Sequence, residues 1–110
     1  MSLDKRNQLV AKYPNILSGR GWPEVGAGWL PLIDDLCSKL SSTVIATQVK
    51  EKFGGLRFYV AGATEEDYTH IDDAERLSEK TCDVCGQPGK LRSGGWMVTR
   101  CDDHIKHDYV

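Results

Sequence analysis

Long apolar runs are missing from this chain: no stretch approaches the roughly 20 residues needed to cross a bilayer, so no membrane-spanning helix is expected. The opening MSLDKRNQLV lacks the apolar stretch of a secretory signal, and a cytosolic location follows as an expectation. A large excess of either charge is also missing. Fourteen Lys and Arg against sixteen Asp and Glu leave a formal net charge of −2, which excludes a polybasic tail or a polyacidic block. The charge is uneven all the same, with seven acids against two bases in residues 61–80 and three bases against one acid in residues 43–60. There is no internal repeat, no phosphate-cradling glycine loop, no nucleophilic triad and no paired-carboxylate arrangement, so no small-molecule substrate is evident. What is there, 110 residues of which 40% are hydrophobic and 27% charged, suits one globular domain with a modest core.

The chain divides into four stretches. Residues 1–42 read as helical: Leu3, Asn7, Val10 and Ala11 recur at helical spacing, with Ser2 available as a cap and Pro14 as a stop. A glycine-rich stretch, ILSGRGWPEVGAG, then reads as a loop, tacked onto the core by Trp22 and Pro23. Trp29, Leu32, Ile33, Leu36, Cys37 and Leu40 form the apolar stripe of a second helix, which makes Cys37 a core residue. Residues 43–61 turn to β-branched and aromatic types around Gly54-Gly55, a β-hairpin. With those glycines as the turn, Lys52 faces Arg57 and Lys50 faces Tyr59; Val49, Phe53, Leu56, Phe58 and Val60 share the apolar face, with Glu51 as a misfit. Residues 64–80 form an acidic helix capped by Thr64. Residues 81–110 complete an α+β chain as a metal-binding module.

That module rests on two coupled spacings, Cys82-x-x-Cys85 in TCDVCG and Cys101-x-x-His104 in RCDDH. Two thiolates separated by two residues grip one ion from a tight knuckle, and Gly86 permits the turn that aims backbone amides at the sulfurs. Cys101 and His104 supply the other two ligands, filling a tetrahedral zinc shell. A knuckle, a hairpin ending in the strand-like 96–100, and a helix carrying the last ligands resemble a treble clef; a zinc ribbon is the alternative. Disulfides are disfavoured in a reducing compartment. Because all four positions are protein ligands, a structural Zn2+ is favoured over a catalytic one. A deaminase reading through His70, Cys82 and Cys85 wants Glu where Asp72 stands and would orphan Cys101 and His104. His70 and His107 read as surface imidazoles.

The polar face of the hairpin is the second feature. Lys50, Lys52 and Arg57 beside Tyr59 form a small basic patch whose like-charge pair an anionic partner would relieve. That partner is open at this stage: solvent, the protein's own acidic helix, an acidic protein surface, or a nucleic acid with Tyr59 stacking on a base. The overall expectation is a binding module for protein or nucleic acid, with a zinc-dependent enzyme acting on nucleotides or nucleic acid as the alternative. Trp22 and Trp96 are candidate contact residues within a set of tryptophans that mostly pack.

The strings VKEKFGGLRFYV, TCDVCGQPG and GGWMVTRCDDH, within residues 43–107, resemble small uncharacterised proteins encoded by bacteriophages and prophages. The resemblance implies a bacterial host cytosol and a family-wide metal site at Cys82, Cys85, Cys101 and His104. It carries no activity with it.

Overall fold

The computed structural model describes residues 2–92 and 97–105. Expectations placed on Trp96 and on His107 lie outside these residues. Helix and sheet are mixed, with four α-helices and five strands among the described residues. Helix α1 (Ser2–Lys12) includes Ser2 within its first turn instead of using it as a cap. Pro14 stops α1 but also opens α2 (Pro14–Leu17), since proline at the first helical position loses no intrahelical donor.

The glycine-rich stretch is more ordered than a loop. It holds two 3-10 turns, Gly19–Gly21 and Ala27–Trp29, and between them the short strand β1 (Pro23–Glu24). A Cβ at Gly21 would fall 2.7 Å from the Ile16 carbonyl oxygen and 2.9 Å from the Ala46 Cβ, so glycine is what lets the segment lie on the sheet. Pro23 is buried and Trp22 half-buried. Helix α3 (Leu30–Lys39) follows, and Trp29, Ile33, Leu36 and Cys37 are buried as its stripe requires. Burial, followed by the Asp34 charge, pushes the Cys37 thiol up to about 12, so it stays protonated in the core.

Strands β2 (Ile45–Lys52) and β3 (Gly55–Ala61) form the hairpin, with β1 parallel to β2 on the other side. The turn is Phe53-Gly54, both residues having positive φ, 54° and 83°, as a type I′ turn requires. The expected Gly54-Gly55 turn is therefore corrected. Lys52 faces Gly55, Glu51 faces Leu56, Lys50 faces Arg57, Val49 faces Phe58 and Gln48 faces Tyr59. A two-residue shift in pairing leaves the faces unchanged, so Gln48, Lys50, Lys52, Arg57 and Tyr59 still share the outer one. Phe53 leaves the apolar face for the exposed tip. Glu51 ceases to be a misfit, because its Oε2 accepts a 2.6 Å hydrogen bond from the Gly54 amide and holds the turn. A register slip between Ala46 and Gln48 lets Ala46 and Val49, three residues apart, both reach the core.

Both outer edges of this sheet are covered. On β3, the Leu56 and Phe58 amides donate to Ser78 Oγ (2.9 Å) and Glu75 Oε2 (3.0 Å) of helix α4 (Glu65–Ser78). Next to β1, the Arg6 guanidinium donates to the Pro23 and Val25 carbonyls. Strand addition is thereby blocked at these points. The core gathers Leu9, Ile16, Leu17, Trp29, Ile33, Leu36, Val44, Val49, Leu56, Phe58, Ile71 and Ala74 from all four helices and the hairpin. Strands β4 (Lys90–Arg92) and β5 (Val98–Arg100) form a separate antiparallel pair, and a 3-10 turn, Asp102–His104, ends the described chain where an α-helix was expected.

Candidate metal centre

Cys82, Cys85, Cys101 and His104 converge as their spacing predicts: one ligand atom from each lies within 4.8 Å of all the others. The Cys85 and Cys101 sulfurs are 3.7 Å apart, and Cys82 Sγ lies 3.7 Å from His104 Nδ1. A tetrahedral ion with metal–sulfur bonds of about 2.3 Å has sulfur–sulfur edges of about 3.8 Å. The separation is far longer than a disulfide bond, and all four cysteines are free. Cys101 Sγ and His104 Nδ1 approach to 3.1 Å across the final turn, which the His104 amide closes on the Cys101 carbonyl.

The knuckle is built by backbone hydrogen bonds. Gly86 sits at φ +83° and its amide donates to the Cys82 carbonyl at 2.9 Å, while the Cys82 amide donates to the Gln87 carbonyl at 2.8 Å. Burial alone pushes the Cys82 thiol up, but the amides of Cys101, Cys85 and Val84 together with the Cys85 thiol outweigh it and hold Cys82 at about 6. The Gln87 amide draws Cys85 down, yet desolvation and the neighbouring Cys82 and Cys101 sulfurs carry it above the usual thiol range. The knuckle amides thus favour the thiolate at Cys82, and the sulfur crowding that raises Cys85 is what a cation would relieve.

Several residues that periodicity and ligand spacing do not reveal hold this cluster in place. Arg100 Nε donates to Asp83 Oδ1 at 3.1 Å, and both side chains are at most 6% exposed. This buried pair joins the knuckle to the strand that delivers Cys101. The Asp83 amide also donates to the Thr99 carbonyl at 3.0 Å. The knuckle rests on the Ala27–Trp29 turn: the Gly28 amide donates to the Asp83 carbonyl (3.0 Å) and Trp29 Nε1 to the Thr81 carbonyl (2.8 Å). A Cβ at Gly28 would lie 2.3 Å from the Cys82 carbonyl oxygen, so no other residue allows that approach. On the opposite flank, buried Thr99 donates through Oγ1 to the Gly54 carbonyl at 2.6 Å, docking β5 on the hairpin turn.

The second group of candidates is only partly gathered. Lys50 and Arg57 stand directly opposite one another, whereas Lys52 pairs with Gly55, so the like-charge pair is Lys50/Arg57 instead of Lys52/Arg57. Tyr59 is exposed on the same face. Burial raises the Glu75 carboxyl of the acidic helix, only partly opposed by the Phe58 amide and then by the charge of Arg57. His70 is half-buried beside Glu66 in α4 and does not join the Cys/His cluster.

No described helix is long and apolar enough to cross a membrane. No protein-family model, curated protein or solved structure matches the chain.

Proposed function

We propose that the chain is a small zinc-binding module in which the ion is structural and the biological role is binding to a protein or nucleic acid. The observation that carries this reading is the convergence of three sulfurs and one imidazole nitrogen within 4.8 Å of one another. A sulfur-rich set of four is the ligand chemistry of zinc, and it leaves no position for a reacting water. The order knuckle, β4–β5 hairpin and 3-10 turn supports a treble-clef arrangement over a zinc ribbon. A phage or prophage setting in a bacterial cytosol belongs to the same proposal and rests on the sequence resemblance.

Chelation with hydrogen-exchange detection tests it. Structural zinc contributes on the order of 10 kcal/mol in isolated fingers, comparable with the stability of a whole small domain. Metal removal, or Cys85→Ser, is expected to abolish amide protection from Cys82 onward, including Asp83 and Gly86. Unchanged protection and midpoint after complete metal removal would contradict a structural ion.

A further inference from the structure

Phe53 occupies a position that a bulky side chain disfavours. Its φ of 54° lies in the left-handed region, where the first residue of a type I′ turn is ordinarily Asn, Asp or Gly. It is also 65% exposed, the highest figure among the large hydrophobic residues exposed in the described chain. The strain is sustained from below: Gly54 is buried, its amide bound by Glu51 and its carbonyl by Thr99. A Cβ at Gly54 would meet Leu91 Cδ1 at 2.5 Å and Thr99 Oγ1 at 3.3 Å, so the tip is clamped on β4–β5. Strained backbone that persists through surrounding contacts is a mark of displayed function. Burial does not explain the aromatic ring, since the ring faces water.

The surroundings select the partner. The Lys52 ammonium lies over the Phe53 ring at 5.6 Å from its centroid. Lys50 and Lys52 make no ion pair among the described residues, and with Arg57 and Tyr59 they continue the outer face of the hairpin. Six of the sixteen acids of this chain lie in α4, and on the hairpin side Glu24 of β1 stands beside Lys50. Cations flanking exposed aromatic faces complement an anionic backbone bearing flat bases, and a single strand leaves those bases free to stack.

We infer that the hairpin tip binds single-stranded nucleic acid, with Phe53 as the stacking residue and Lys50 and Lys52 as phosphate contacts. This narrows the binding-module reading given above to one partner class. The test is fluorescence anisotropy of labelled oligo(dT) and oligo(rU), with a duplex for comparison, at about 50 mM and 200 mM salt. The intact protein binds single strands in preference to duplex, more weakly at the higher salt. Phe53→Asn weakens binding by roughly tenfold or more, while Phe53→Tyr retains it and Lys52→Glu reduces it. Because Asn suits a positive φ, Phe53→Asn also raises the thermal midpoint by about 4 °C or more.

Failure to bind either single strand at low salt overturns the inference, including the case in which a protein occupies the tip. It is equally overturned if Phe53→Asn binds like the parent, or if that variant melts at a lower temperature, which makes the ring structural. Zinc content measured on the same samples separates the two readings. A fully metallated protein that ignores oligonucleotides overturns this inference alone, and a metal-free one that binds them supports it while removing the structural ion.

Discussion

At the scale of single residues, Arg100 and Asp83 have the largest electrostatic consequence. Each is an ion withdrawn from water, and the attraction between them offsets that desolvation only while both are present. Arg100→Met leaves Asp83 buried without its partner and is expected to destabilise the protein by about 3–5 kcal/mol, read as a lower urea midpoint. Adding Asp83→Leu should recover most of that loss, and independent losses in the double variant would show that the pair is not coupled. Gly28 acts through shape alone. Gly28→Ala drives a methyl into the Cys82 carbonyl and Gly86 amide, so it should weaken zinc retention against a chelator as well as stability. Full retention would mean that the knuckle does not depend on this support. The four members of the Cys/His cluster were legible in the sequence because two-residue spacings between Cys and His have few other uses. Gly28, Asp83 and Arg100 were not, since burial and pairing depend on contacts across more than 50 residues of chain for Gly28 and Asp83, and the intervening glycines read equally well as loop.

At the scale of elements, α4 shows how a local signal and a distant contact combine. Thr64 and Asp67 form the reciprocal capping box, and Asp67 Oδ1 also accepts from the Ser41 amide (2.9 Å) and hydroxyl (3.0 Å). The Thr64 amide first, then the Ser41 donors and the Thr64 hydroxyl, prevail over burial and hold the Asp67 carboxyl at about 2. Its folded value is thus below the unfolded one of about 4. The stabilisation is complete above about pH 4 and is lost as pH falls toward 2. Asp67→Asn should therefore be less stable than the parent at pH 7, with the gap closing between about pH 4 and 2. A gap independent of pH would remove the carboxylate from the account. Metal loss in acid affects both proteins alike and does not mimic this difference.

The cap, the α3 stripe and the two hairpin faces were readable from local pattern. The turn position was not, because the glycine pair would fill both positive-φ positions in one register and fills only one, beside Phe53, in the register adopted, which the Thr99 and Glu51 bonds favour. Strand β1 was invisible for a different reason: two residues have no periodicity, and its existence depends on β2 lying alongside.

At the scale of the whole molecule, the hydrophobic core and the C-terminal Cys/His module lie side by side. The core runs from Leu9 to Ala74 and includes none of the described residues from Cys82 onward. The module meets it through the Gly28 turn and the hairpin tip. Its two strands have three residues each, too little to order a segment without a further constraint. A metal ion held by Cys82, Cys85, Cys101 and His104 would supply that constraint by joining residues from both ends of the segment.

X-ray absorption at the zinc edge, with the zinc-to-protein ratio measured on the same sample, addresses that claim most directly. The account predicts one zinc per chain in a four-coordinate shell of three sulfurs at about 2.3 Å and one nitrogen at about 2.0–2.1 Å. Protein isolated folded with no bound metal, or a shell dominated by oxygen, would contradict it.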